Sequence, residues 1–183
     1  MSPGGHLVTT AVACGAAAAI TGDAVLTTAV AVGGFLIDID HAVDYVVFER
    51  QRDLRPDVFL RYYLEGRTRR VVLALHSYEL FALIAVAAWW TGAAWLWGYL
   101  LGGLMHLTLD LIFNGELTPR SIVPFYSFVY RLAHRFEARA MLGDPKIAPP
   151  PRQFWAAFFQ GAKAADPDIT PAPRLVRPSP PSC

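Results

Sequence analysis

The sequence predicts an all-α integral membrane fold, a helical bundle of two hairpins followed by interfacial helices. Three observations predict it. Hydrophobic residues make up 54% of the 183-residue chain and the mean hydropathy is +0.34, above the range of ordinary soluble domains. Four apolar runs, at 7–20, 24–37, 71–91 and 93–113, are separated within each pair only by the short turn signals "TGD" and "WTGAAW". Neither turn holds a lysine or arginine, whereas the segment 49–70 between the pairs holds seven arginines.

The first two runs, at about 1.5 Å per residue, reach only about 21 Å against a hydrocarbon core of about 30 Å, so the first hairpin is expected to be shallow. The third and fourth have about the 20 residues that a full span needs. The small residues of "ACGAAAA" and the pairs Gly33-Gly34 and Gly102-Gly103 suit close helix packing in lipid. Trp89, Trp90, Trp95 and Trp97 gather at the second turn, as an aromatic belt does. The opening "MSPGGHLVTT" has no basic stretch and no small-residue cleavage site, so the first helix is expected to remain. Cys14 and Cys183 have neither metal-ligand spacing nor a reason to pair.

Charge sets the expected orientation. All lysines and arginines outside 49–70 fall after residue 115, which by the positive-inside rule puts the N-terminus, the middle segment and the C-terminal third on the cytoplasmic side of the inner membrane. The chain is expected to be multi-pass, N-in and C-in. After Asn114-Gly115, "FYSFVYRLAHRFEARAML" mixes aromatic and basic residues at helical spacing and reads as an interfacial amphipathic helix, with "FWAAFF" as a second anchor. The organisation is thus a membrane-embedded domain over 1–143, an interfacial segment over 144–165 and a Pro-rich disordered tail over 166–183. The basic residues face anionic lipid in this arrangement, so membrane lipids are the expected partners and nucleic acid is not.

The polar residues carry the chemistry. His6 opens the first helix, Asp38, Asp40, His41 and Asp44 close the second, His76 begins the third, and His106 and Asp110 end the fourth. The start and finish of any hairpin lie on one side, so all of them meet at the cytoplasmic end. Asp40 and Asp44, like His106 and Asp110, are four residues apart, and His76 and Glu79 are three apart, so each pair shares a helix face. Ionisable groups in apolar helices cost at least ~2.5 kcal/mol each unless they pair or bind an ion. A divalent metal offsets that cost collectively, and imidazole with carboxylate suits zinc, or manganese and iron less selectively. Such a centre activates water, with a spare carboxylate as base, which is hydrolase chemistry.

The order of "GGHLVTT", "DIDH", "LHSYE" and "MHLTLDLIFNGELTP" followed by "IVPF" resembles the YdjM-like family of predicted membrane-bound metal-dependent hydrolases over roughly residues 1–130. That family is grouped with all-helical zinc phospholipase C and P1-type nucleases. The resemblance implies metal ligands at His6, Asp40, His41, His76, His106 and Asp110, and a phosphoester or phospholipid substrate. The chain departs from the family pattern at Ile37, Val71 and Val72. Asp38, Asp44 and Glu79 are the acids left to move protons, although Asp38 can also face headgroup water, Asp44 can cap or pair with an arginine, and Glu79 can orient His76. The competing readings are a non-enzymatic metal carrier, a haem protein with His76 and His106 as axial ligands, and an inactive scaffold of the same fold. The apolar outer halves of the helices disfavour the carrier, and the neighbouring carboxylates disfavour haem.

Overall fold

A computed structural model of the chain describes residues 1–165. The tail expected from residue 166 lies outside the described residues. Among the described residues the fold is all-α, with nine helices and no strand.

α1 (Pro3–Thr21) starts where Ser2 accepts a hydrogen bond from the Gly5 amide, with Pro3 in the first turn, and ends at Gly22, whose φ of 63° needs a residue without a Cβ. Its 19 residues exceed the apolar run because capping starts it earlier, and it is long enough to cross a bilayer. The first hairpin is therefore deeper than expected on this side. Asp23 then caps α2 (Ala24–Gly34) by accepting from the Val25 and Leu26 amides at 2.8 and 3.1 Å. The helix breaks at Phe35, bends by 45°, and continues through the short α3 (Ile39–Val43) into a wide turn closed by Glu49 N–H to Asp44 C=O. Taken as one broken span, this pair is the third segment apolar enough to cross, beside α1 and Ala94–Leu117.

α4 (Pro56–Leu64) lies in the arginine-rich segment. The third apolar run is not one helix. Residues 71–77 are irregular and α5 (Tyr78–Thr91) spans only 14 residues, about 21 Å, short of a full crossing. The cause is local competition for backbone amides. Asp44 accepts from Val72 and Leu73, and Asp40 from Leu75, so these N–H groups bond to side chains instead of to a preceding helical turn. Leu73 sits at φ 41°, which no helix accommodates.

α5 turns through Gly92, at φ 65°, into α6 (Ala94–Asn114), the central helix. α2 packs along α6 on glycines. A Cβ at Gly33, Gly98 or Gly102 would overlap the backbone carbonyl of Tyr99, Leu26 or Val30 respectively. α1 covers α2 on one side and α5 packs on α6 on the other.

The expected amphipathic helix after Pro124 is instead two short ones, α7 (Phe128–Ala133) and α8 (Ala138–Leu142). Between them Arg135 and Phe136 take φ of 54° and 60°, drawn from the helical path as the Val71 amide donates to the Phe136 carbonyl and the Ala138 amide to the Arg69 carbonyl. Arg131 does not face outward as such a helix would place it. It is completely buried. α9 (Phe154–Gln160) packs against α1 and α4, with Ala157 buried beside Leu60 and Leu64 and with Trp155 exposed.

Candidate metal centre

The helix break at Phe35 ends α2 with unused carbonyls, and one of these builds the site. His106, on α6, points Nδ1 at the Gly34 carbonyl, 2.9 Å away. A carbonyl only accepts, so Nδ1 carries the proton and Nε2 of the neutral ring presents a lone pair. His76 repeats the arrangement from the irregular segment ahead of α5, with Nδ1 3.0 Å from Asp40 Oδ2. The two Nε2 atoms lie 3.1 Å apart, and Asp38 Oδ1 is 3.4 Å from each. Three electron-pair donors thus converge with no donor hydrogen between them in the neutral tautomers. Around a tetrahedral ion with bonds of about 2.0–2.2 Å, neighbouring ligand atoms stand roughly 3.3–3.6 Å apart, close to this triangle.

Electrostatics favour a cation at that point. The His76 imidazole lies outside the spanning helices and is fully buried. Burial by itself lowers its basicity, but hydrogen bonding to Asp38 and Asp40 outweighs this and pushes its pKa up to about 9.

The remaining residues flank the triangle. Asp110 Oδ2 is 3.6 Å from His106 Nε2, and its Oδ1 is 2.9 Å from His6 Nε2. The His6 ring stacks on His106 with centroids 3.7 Å apart, and its buried Nδ1 has no partner among the described residues. Asn114 Nδ2 and the Met1 amino group, both 2.9 Å away, donate to Asp110 Oδ1, while the Tyr126 hydroxyl reaches Oδ2 at 3.2 Å. His41 is partly exposed with Nε2 3.7 Å from Asp38 Oδ1, and its carbonyl accepts from the Tyr63 hydroxyl at 2.6 Å. Three overlapping groups can hold an ion: Asp38, His76 and His106; His6, His106 and Asp110; and Asp40, His41 and His76.

No family model, curated protein or solved structure matches this chain. The motif resemblance therefore stands without a match behind it. What the chain carries is an all-helical fold with buried His/Asp groups able to hold a metal ion.

All six expected ligands fall within these overlapping groups, and Asp38 joins them as the third corner of the triangle with His76 and His106. Asp40 has a further task, because its Oδ2 orients His76 and accepts the Leu75 amide while its buried Oδ1 has no partner among the described residues. The other two acids have engagements of their own. Asp44 Oδ2 accepts the Val72 and Leu73 amides at 2.7 and 3.1 Å. Glu79 accepts from the Ser127 hydroxyl and from the Phe128 and Val129 amides, so it caps α7, and the carboxylate that orients His76 is Asp40. Tyr126, Tyr63 and Arg131 were not legible as site residues. Tyr126 sits one residue beyond the "IVPF" motif, which is the only sequence signal near it.

Proposed function

We propose that this chain is a membrane-bound, metal-dependent hydrolase of phosphoester bonds, with zinc as its metal and a lipid-like phosphoester as its substrate. The observation that carries the reading is the convergence of His76 Nε2, His106 Nε2 and Asp38 Oδ1 within 3.1–3.4 Å of one another, with both ring tautomers aimed to leave lone pairs inward. A divalent metal held there supplies a Lewis acid and lowers the pKa of water toward neutrality.

The chain's own groups supply the rest. His76, His106 and Asp38 would hold the ion, with Asp110 and His6 completing the cluster toward α1. Asp38, about a third exposed, would ligate through Oδ1 and leave its second carboxylate oxygen to take a proton from water at the cluster. His41, Tyr63, Asp110 and Tyr126 face a cavity of about 1080 Å³. Its lining includes Arg67, Arg69, Arg70 and Lys163, which suit a phosphate, and leucine, isoleucine and phenylalanine side chains, which suit a hydrocarbon chain. Orientation follows the same logic. Arg67, Arg69 and Arg70 line the same cavity as His41 and Asp110, the hairpin turns lack lysine and arginine, and by the positive-inside rule this end of the fold faces the cytoplasm in the inner membrane.

Two measurements test this. Elemental analysis of detergent-purified protein from zinc-replete cells is expected to find about one or more zinc per chain. The same preparation is expected to cleave short-chain phosphatidylcholine or bis(p-nitrophenyl) phosphate, and to stop on treatment with a chelator. A metal-free protein would remove the reading. A zinc-loaded protein inert toward both substrates would leave a metal-binding protein and remove the hydrolase.

A further inference from the structure

We propose that Arg131 is the positioning residue that sets where His76 stands, and hence the geometry in which the cluster takes a metal; the inference rests on the metal-centre reading above. Arg131 lies on α7 and is wholly buried. Its Nη1 donates to the carbonyls of His76 and Phe125, both at 2.9 Å, and its Nη2 donates to the Leu73 carbonyl at 2.9 Å. The guanidinium also stacks near the Phe125 and Phe128 rings, 5.5 and 5.9 Å from their centroids. Among the described residues no carboxylate lies within 4.0 Å of it, so carbonyl oxygens alone stand in for its lost water. A buried cation without an ion-pair partner is a poor stabiliser, since apolar residues of similar volume serve packing as well or better. Its use is therefore to be sought in what its hydrogen bonds hold.

Two of the three carbonyls belong to the segment 73–76, which ends in His76. No helix holds this segment. Leu73 is in the left-handed region, and among the described residues the local bonds are from the His76 amide to the Leu73 carbonyl at 3.0 Å and from the Ser77 hydroxyl to the Ala74 carbonyl at 3.1 Å. Its amides are pinned from one side by Asp44 and Asp40, and its carbonyls from the other by Arg131. α7 is itself tied to the first turn of α5 by Glu79, so the brace closes on the helix that follows His76. With both edges of the segment held, the imidazole keeps Nδ1 on Asp40 and Nε2 3.1 Å from that of His106.

The test uses Arg131→Met, which keeps the volume and drops the donors, and Arg131→Lys, which keeps the charge but not the planar fork. Full-length proteins in detergent micelles are titrated with Co²⁺, whose visible absorption reports coordination geometry. In parallel, the ring ¹⁵N shifts of His76 are read in metal-free protein. Both variants are expected to bind Co²⁺ about 10- to 100-fold more weakly than wild type, with an altered visible spectrum and displaced His76 shifts, at little change in helical content. Wild-type Co²⁺ affinity, spectrum and His76 shifts in either folded variant would overturn the proposal. Should wild type itself bind no Co²⁺, the metal reading fails by that result alone. The His76 shifts then still decide whether Arg131 positions the ring, since displacement supports it and identity with wild type overturns it.

Discussion

Replacing His106 with alanine is expected to empty the metal centre, leaving less than about a tenth of the wild-type metal content by elemental analysis. His106, like His76, belongs to two of the three ion-holding groups, and its loss leaves Asp38 and His76 without the third donor and His6 without its stacking partner. The effect should appear in stability as well. At a zinc concentration about 1,000 times the dissociation constant, binding stabilises the wild type by about 4 kcal/mol, and the variant should lose nearly all of that increment. His134 provides the control. It lies against Tyr130 on α7 with Nδ1 2.8 Å from the Tyr130 carbonyl, so His134→Ala should keep full metal content. The pH dependence has a definite sign. A proton competes for His76 up to its pKa of about 9, so metal affinity should rise steadily from about pH 6 to about pH 8, and a chelator should strip the protein faster at the lower end. Equal affinity across that range would contradict ligation by His76.

Gly102→Val is expected to cost about 3 kcal/mol, or a fall of roughly 6 to 12 °C in thermal midpoint in detergent, and to release the metal without touching a ligand. A Cβ at Gly102 would overlap the Val30 carbonyl and come within 2.7 Å of the Gly34 amide, so α2 and α6 must separate. That separation withdraws the Gly34 carbonyl from His106 Nδ1, and the ring loses the bond that keeps its lone pair inward. Gly15→Val is the matched control, because a Cβ there meets nothing within 4 Å. Thermal unfolding followed by circular dichroism, with metal analysis on the same samples, checks both. A Gly102 variant with wild-type stability and metal content would mean that the helices can part without disturbing the site.

How far the sequence could be read depended on the range of the interactions concerned. Helical hairpins and the break at Thr21-Gly22-Asp23 are local matters of hydropathy and φ preference, and they were legible. The third apolar run was not, since hydropathy has no term for the Asp44 and Asp40 carboxylates that take the amides of residues 72, 73 and 75 from about thirty positions away. Arg131 misled for the same reason. Its place in an aromatic and basic stretch predicts a headgroup contact, whereas carbonyls brought from Leu73 and His76 give it a buried seat. Glu79 shows the reverse case, with the right helix face near His76 but a stronger offer from the free amides that open α7.

By itself the sequence determined that this is an all-helical chain apolar enough to enter a membrane, and that His6, Asp38, Asp40, His41, His76, His106 and Asp110 end up at one end of it. Periodicity and the geometry of hairpins suffice for that, because each acts within one helix or one turn. Only the tertiary structure decided which atoms meet. The break at Phe35 offers Gly34 to His106, the glycines of α2 and α6 let those helices close on that contact, and the acids of the bent segment shape the stretch that brings His76 Nε2 to 3.1 Å from that of His106. Those relations join residues 30 to 72 positions apart, and their strength comes from burial, which no single stretch of sequence possesses.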